Sequence, residues 1–540
     1  MLVVSVEQMR AIESEADARG VSYMEMMERA GGGVAALVEA EYGEEESHQV
    51  TALVGSGNNG GDALVALEIL SKAGWQAKAY LVRPRPEEDA LLKRARLAEV
   101  EITSAADDPE YHVLTAWLKD AVVLLDGVLG TGFQLPLRDE LVPVMRVVNK
   151  FMGDLRVIAI DCPSGVDCDS GEVAEEAIPA EVTICMQAVK QGLLRYPAFD
   201  LVGELRVVDL DLPADLKVAR DIRLFMADGE TTARCLPDRP DTAHKGTFGT
   251  LLIAAGSTYY TGAALLSARG AYRIGAGLVR LAVPAPLHAS LAGQFPEATW
   301  LLLPHEMGMI AEGAADLVLK NLERVTALLV GPGLGSEETT AAFIEKLLTG
   351  THSSGKPASL GFLTAQVVKP IDGTVKLPPM VVDADGLRLM ARLKNWPELL
   401  SQGSILTPHP GEMSTLTGLT VEQIQSDRWE TARTFAQKWK TTVILKGALT
   451  VIADGSGRAC IIPVATSALA KAGSGDVLAG LVAGLLAQGR PAWDSAVAGA
   501  WIHAQAGLAA AQNLGSPAPV LASDVIEAVP GVLWALQFDL

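Results

Sequence analysis

Residues 53–67, "LVGSGNNGGDALVAL", decide how the first half of the chain folds: an apolar run, a glycine turn, then a second apolar run with helical spacing. Gly55, Gly57 and Gly60 keep the G-x-G-x-x-G spacing of a turn that carries a strand into a helix and aims backbone N–H groups at an anion. A plain dinucleotide-binding turn also needs an acidic residue about twenty positions on, at the end of the second strand. That strand ends in "YLVRPRP", offering Arg83 and Arg85, which weakens an NAD site and leaves an NADP-type site open. Asn58, Asn59 and Asp62 crowd the turn with oxygen-bearing side chains suited to a hard cation or to sugar hydroxyls. Asn and Asp are also ordinary turn residues that tolerate left-handed backbone. The motif alone leaves both readings open.

Working outward, short Val/Ile/Leu-rich runs alternate with amphipathic stretches in both halves, the pattern of βα units around a buried parallel sheet. Strands are expected at 50–54, 77–82, 121–125, 157–160, 181–184 and 204–208. In the second half they are expected at 250–254, 278–282, 327–330, 380–382, 404–406, 442–445 and 450–453. At 540 residues the chain exceeds one ordinary core, so two domains are expected, 1–215 and 241–540. Between them, 216–240 reads as a linker leading into the proline- and turn-rich "CLPDRPDTAHKG". Residues 351–379 read as a surface excursion, loop or hairpin, without chemistry.

A net charge of −21 is the wrong sign for tracking phosphates, and aromatics at 5% make a poor stacking platform, so a nucleic-acid partner is excluded. Five cysteines without a C-x-x-C pair point to reduced thiols rather than a disulfide frame or a zinc site. The first twenty residues lack a signal-peptide core, and no apolar run reaches bilayer length, so a cytoplasmic protein without a membrane partner is expected.

Two further loops tip the balance at the glycine turn. "LLDGVLGTGFQLPL" leaves Asp126 at a strand end before another glycine turn, and "IAIDCPSGVDCDSG" leaves Asp161 at a strand end before Ser164. In an open α/β sheet such carboxyl-end loops line one crevice, so the three would converge on a single pocket. With "MEMMERAG" (24–31) before them and "VKQGL" around Lys190 after them, these motifs resemble NAD(P)H-hydrate epimerase across residues 1–215. The resemblance implies a Rossmann-like three-layer domain. It implies that Asn58, Asn59, Gly60, Gly61 and Asp62, with Gly130, Thr131, Gly132, Phe133, Gln134, Leu135 and Pro136, hold a damaged nicotinamide dinucleotide. It further implies a potassium ion on Asn59, Asp126 and Ser164, and a catalytic Asp161 at the substrate. Ala63 departs from the glycine usual in the family, at a position expected inside the helix.

In the second half, "KAGSGDVLAG" (471–480) places Gly473 and Gly475 before Asp476 at the start of an apolar helix. Amides and helix dipole there suit phosphate oxygens, with Asp476 as a base beside a hydroxyl. "GPGLG" (331–335), "DADGL" (383–387), "TPHPGEM" (407–413) and "LKGALT" (445–450) each follow an expected strand. His409 alone reads as structural and Lys446 alone as a surface charge; their shared position after strands raises both. These motifs resemble the ribokinase-like superfamily and, more narrowly, ADP-dependent NAD(P)H-hydrate dehydratase over most of 240–530. The resemblance implies a ribokinase-like α/β domain in which Ala263, Gly333, His409 and Asp476 meet the hydrate. Lys446, Gly447, Ala448, Leu449, Thr450 and Gly475 would hold the adenine nucleotide, ADP the co-substrate and magnesium the metal.

The combined expectation is a bifunctional repair enzyme, a homo-oligomer acting on NADHX and NADPHX. The alternatives are a vitamin or sugar kinase fused to an NADP-binding domain, and a dinucleotide sensor without turnover. Asp126 and Asp161 speak against the sensor, because pure binding of an anion has no use for two carboxylates.

Overall fold

Runs of aliphatic residues too short for helices, each followed by a helix, leave the backbone few choices other than parallel strands covered on both faces. In a computed structural model that describes residues 1–153, 155–350 and 375–538, the chain divides into two units, Met1–Met226 and Ala227–Leu540.

The first unit carries strands β1 (Gln49–Val54), β2 (Gln76–Leu81), β3 (Glu101–Ser104), β4 (Val123–Gly127), β5 (Arg156–Ile160), β6 (Val182–Met186) and β7 (Glu204–Val208). Their order is β3-β2-β1-β4-β5-β6-β7, parallel throughout. Alternate residues of each strand face opposite layers: Val50, Ala52 and Val54 pack in one core, Leu53, Tyr80 and Leu124 in the other. The domain is therefore the three-layer Rossmann-like arrangement expected. Strand β3 was not expected, because "EITS" has one aliphatic residue and sits at the sheet edge with no residue buried.

Sheet order reverses between β1 and β4, and the glycine turn opens at that point into the helix Asn58–Lys72. The three glycines of the turn do different work. A Cβ at Gly55 would strike the Val128 carbonyl, and one at Gly60 would strike the Gly55 carbonyl, so both are fixed by close packing. At Gly57 a Cβ meets nothing within 4 Å, leaving that backbone open to a ligand.

The second unit continues with β8 (Thr250–Ala254), β9 (Leu278–Pro284), β10 (Thr299–Leu303), β11 (Ala327–Val330), β12 (Met380–Val382), β13 (Ile405–Leu406), β14 (Thr442–Leu445), β15 (Val451–Ala453) and β16 (Ala459–Ile461). These run in the order β16-β15-β14-β13-β12-β11-β8-β9-β10, with β8 to β14 parallel and β15 and β16 antiparallel. The helix Ser474–Ala487 lies against Thr261–Arg273 so closely that a Cβ at Gly480 would strike the Ser267 carbonyl, and one at Gly270 would come within 2.9 Å of the Val477 carbonyl. The glycines of "DVLAGLVAG" thus serve helix packing. β10 and β16 were missed; β10 is a half-exposed edge strand, and β16 is three residues long.

The stretch read as a linker holds regular structure: a helix at Lys217–Asp221, a strand at Leu224–Met226 and a helix at Gly229–Cys235. Leu216 and Ile222 are buried in the first unit's core and Cys235 in a core of the second, which proline and turn residues alone do not reveal. The excursion read at 351–379 lies, up to residue 374, outside the described residues.

Gly60→Ala is expected to destabilise the chain by about 1–3 kcal/mol through overpacking, while Gly57→Ala shifts stability by no more than about 0.5 kcal/mol. Urea unfolding of the two variants checks this; equal midpoints would contradict the division of labour among the glycines.

Candidate active sites

At the switch point of the first sheet lies a cavity of about 1090 Å³. Of the residues singled out from sequence, Asn58, Asn59, Asp62, Gly130, Thr131, Gly132, Phe133, Gln134, Pro136 and Asp161 line it. Gly60, Gly61 and Leu135 do not. Gly60 packs on Gly55, a Cβ at Gly61 would lie 2.7 Å from Met27 Sδ, and Leu135 packs against the core.

Asp161 follows β5 with a left-handed backbone, φ 68°, a conformation costly for a side-chain-bearing residue and typical of sites that need a fixed aim. Its Oδ1 accepts from the Met186 N–H at 3.1 Å and pairs with Lys190 Nζ. Lys190 is fully buried and also donates to the Met186 carbonyl at 3.3 Å. Burial pulls the lysine toward neutrality, but the charge of Asp161 outweighs it and keeps the ammonium protonated. Around this pair stand two more carboxylates. Burial, then the charges of Asp161 and Glu13, push Asp62 well above the usual carboxylate range, with Lys190 opposing. Glu13 is raised mainly by burial and also by Asp161, against the pull of Lys190 and Arg10.

The three residues assigned to potassium tie the three loops together. Asp126, at the end of β4, is fully buried and accepts from Ser164 N at 2.7 Å, Ser164 Oγ at 2.6 Å and Val128 N at 3.3 Å. Burial pushes its pKa up to about 6 despite these hydrogen bonds. Ser164 Oγ accepts from Leu129 N at 2.9 Å, and Asn59 Nδ2 donates to the carbonyls of Leu129 at 3.1 Å and Ile160 at 2.6 Å. No cationic side chain is among the partners of Asp126 in the described residues, and the donors at this corner, carboxylate, hydroxyl and carbonyl oxygens, are those of a hard cation.

In the second unit the loops after β11, β12, β13 and β14 are joined by direct contacts. A Cβ at Gly331 would strike the Asp383 carbonyl, and Gly335 N donates to Asp385 Oδ2 at 2.9 Å. Thr407 Oγ1 donates to Asp383 Oδ1 at 2.6 Å, and Lys446 Nζ reaches the same oxygen at 2.7 Å and Glu412 at 3.6 Å. His409 caps the helix Pro410–Thr417: its Nδ1 accepts from Gly411 N at 3.0 Å and Glu412 N at 3.2 Å, while Glu412 accepts from His409 N at 2.8 Å. Burial, partly offset by Glu412, lowers the His409 pKa. Gly333 (φ 62°) lies against Ala263, where an added Cβ would come within 2.8 Å.

Asp476 is the third residue of its helix, after the left-handed Gly473 (φ 89°). Burial and the charge of Asp383 push it up to about 7, with Lys446 opposing. Gly475 stands beside Lys446, a Cβ there lying 3.7 Å from Nζ. In the loop assigned to nucleotide, Gly447 and Ala448 are exposed, Thr450 Oγ1 donates to the Gly447 carbonyl at 2.8 Å, and Leu449 is buried.

Sequence reasoning gave no role to Glu13, Lys190, Asp383, Glu412 or Arg428. Asp383 and Glu412 sit inside quoted motifs, and the spacing from His409 to Glu412 is a capping-box signature. Glu13 falls in an ordinary amphipathic helix, Val6–Ala18, where nothing marks a charge as inward-facing. Arg428 donates to the carbonyls of Leu445 at 3.0 Å and Lys446 at 3.2 Å, and burial pushes its pKa down to about 10.

Lys190→Met leaves Asp161 buried without its counter-charge and is expected to cost about 3–5 kcal/mol. The readout is the urea midpoint, and an unchanged midpoint would exclude the pairing.

A family described as "NAD(P)H-hydrate dehydratase" matches residues 251–354 and 364–530, and one described as "YjeF-related protein N-terminus" matches 24–192. The bifunctional NAD(P)H-hydrate repair enzyme of Moorella thermoacetica is 33% identical, over 95% of this chain and 92% of that one. Its counterpart in Thermofilum pendens is 34% identical over 100% of this chain and 97% of that one. Among solved structures, an ADP/ATP-dependent NAD(P)H-hydrate dehydratase from Bacillus subtilis, co-crystallised with ATP and magnesium, is 28% identical with a TM-score of 0.46, covering 58% of this chain and 98% of that one. With full-length relatives above thirty per cent identity and both halves matched, the chain belongs to the family of bifunctional NAD(P)H-hydrate repair enzymes.

Proposed function

We propose that the first unit interconverts the R and S hydrates of NADH and NADPH, and that the second dehydrates the S form with ADP, giving NAD(P)H, AMP and phosphate. The observation that carries the first half is the content of the cavity: carboxylates around a buried lysine in a dinucleotide-sized space at the switch point.

The hydrate carries its hydroxyl on the carbon beside the ring nitrogen. The nitrogen lone pair expels that hydroxyl once it is protonated, leaving a planar iminium that water re-enters from either face. Asp62, pushed toward its protonated form by burial and by the charges of Asp161 and Glu13, is the proton donor to the leaving hydroxyl. Asp161, fixed by Lys190 and Met186 N, takes the proton from the entering water, and the two exchange roles in the reverse direction. Asn58, Asn59 and the 130–136 loop hold the dinucleotide; Gly60, Gly61 and Leu135 support them from behind. Potassium on Asn59, Asp126, Ser164 and the carbonyls of Leu129 and Ile160 would neutralise Asp126 and order the three loops.

In the second unit Asp476 takes the hydroxyl proton as the hydrate oxygen attacks the β-phosphorus of ADP, releasing AMP. The ring nitrogen then expels phosphate, and loss of the neighbouring C–H proton restores the double bond. Ala263, Gly333 and His409 hold the hydrate; Lys446, Gly447, Ala448, Leu449, Thr450 and Gly475 hold the nucleotide. Among the described residues no group of three or more His, Cys, Asp or Glu is arranged to hold a metal, which suits magnesium carried in on the phosphates.

Homo-oligomer assembly and a cytoplasmic setting belong to the same reading. An apolar groove of about 950 Å³ beside exposed Leu508 supports the first, and five buried free cysteines support the second. Among the described residues no helix is long and apolar enough to cross a membrane.

With a mixture of R and S NADPHX, ADP and magnesium, NADPH should return completely and faster than spontaneous epimerisation allows. Asp161→Ala should keep only the S phase, and Asp476→Ala should abolish NADPH return; wild-type progress curves from either variant would sink that assignment. Because the base must be deprotonated, the S phase should fall as pH drops below about 7. A rate flat from pH 6 to 8, a range of order one unit either side of that value, would remove Asp476 from the role.

A further inference from the structure

We propose that Arg83 reads the 2′-phosphate of the substrate, so that the first unit prefers NADPHX to NADHX. The inference rests on the reading that this cavity holds a hydrated dinucleotide. In a sheet of order β3-β2-β1-β4, a pyrophosphate on the glycine turn after β1 leaves the adenosine ribose facing the residue just past β2. A carboxylate there accepts the 2′-hydroxyl of an unphosphorylated ribose, whereas an arginine accommodates a 2′-phosphate. β2 ends at Leu81, Val82 is buried, and Arg83 is the next residue; it lines the same cavity as Gly57 and Asn58.

The arginine has capacity to spare. One Nη of Arg83 pairs with Glu140, itself 62% exposed, while its Nε is buried without a partner. Arg85, the other arginine of "RPRP", is tied to the turn: Nε pairs with Asp89 at 2.7 Å, and Nη1 donates to the carbonyls of Gly55 at 2.8 Å and Gly57 at 3.2 Å. It buttresses the turn and leaves recognition to Arg83. Arg138, exposed on the same cavity wall and without an ion-pair partner among the described residues, adds positive charge. The carboxylates lining the cavity, Glu13, Asp62 and Asp161, act on one another around Lys190, and the one acid beside Arg83, Glu140, is paired with it. A 2′-phosphate therefore meets a planar guanidinium that it can take from an exposed surface partner, whereas a 2′-hydroxyl meets only Glu140, a carboxylate already paired with that arginine.

The test uses the full chain with R and S mixtures of NADPHX and of NADHX, ADP and magnesium, after subtracting spontaneous epimerisation. The slow phase reports the first unit, and the fast S phase, made by the second unit, certifies a folded chain. The ratio of slow-phase kcat/KM, NADPHX over NADHX, is expected to be about tenfold or more, the worth of one charge-assisted hydrogen bond. Arg83→Gln should bring that ratio toward one, and Arg83→Asp should turn it in favour of NADHX. Glu140→Gln, which releases the arginine from its surface partner, should raise the ratio and supplies a second measurement should the Arg83 variants fold poorly. Equal wild-type constants for the two hydrates, or Arg83 variants that lower both in parallel, would overturn the proposal. A wild-type chain with no enzyme-dependent slow phase on either hydrate would instead remove the epimerase reading, and the proposal with it.

Discussion

Parallel strands all deliver their carboxyl ends to one edge of a sheet, and both units of this chain concentrate their polar side chains along that edge. The consequence is electrostatic. Asp62, Asp126 and Asp161 in the first unit, and Asp383, Glu412 and Asp476 in the second, come from separate loops that the strand layout forces together. Burial and neighbouring carboxylates push Asp62 and Asp476 toward their protonated forms, and Lys190 and Lys446 oppose that push. Each unit brings one lysine to these acids, the buried Lys190 or the partly buried Lys446, drawn from a later strand or the loop after it. Lys190 lies outside the glycine turns that mark the first site in the sequence, whereas Lys446 directly precedes Gly447 in "LKGALT".

The interior and the rim of the first cavity carry opposite characters. Its lining acids interact around Lys190, with Arg10 acting on Glu13, while Arg83 and Arg138 stand elsewhere on the same wall. An acidic chain with a net charge of −21 can hold a polyanionic dinucleotide because the field that matters is local. In the proposed mode of binding, backbone at Gly57 and guanidinium groups would serve the phosphates, and the carboxylates would face the ring carbon that changes configuration.

Much of this was legible in the sequence, and for a physical reason. Buried parallel strands are continuous aliphatic runs, and the loops that follow them carry residues with no packing excuse, such as Asn59 in a turn or Asp476 at an apolar helix start. What stayed hidden depends on neighbours distant along the chain. "EITS" pairs only because β2 lies beside it, and Glu13 meets the other carboxylates only because its helix lines the same cavity as the glycine turn and Asp161. The proline-rich stretch before residue 240 looked like a tether, yet its helices and strand are held by residues the local composition does not display. Within the glycine motif the spacing was readable, whereas the difference between Gly57, open to a ligand, and Gly60, wedged against Gly55, is a matter of what lies across the turn.

The close approach of Ser474–Ala487 to Thr261–Arg273 bears on how this chain could be engineered. Replacing helical glycines with alanine is a routine way to gain about 1 kcal/mol each from helix propensity. At Gly480 the Ser267 carbonyl occupies the space that alanine's methyl would need, and at Gly484 the backbone of Ala271 stands within 3.0 Å of it. A methyl at either position would push the whole helix away, and its first turn carries Asp476. Thermostability by that route and catalytic alignment are thus in conflict here, so consensus-style stabilisation of this unit is better directed at the solvent side of other helices, where no base depends on a helix keeping its place.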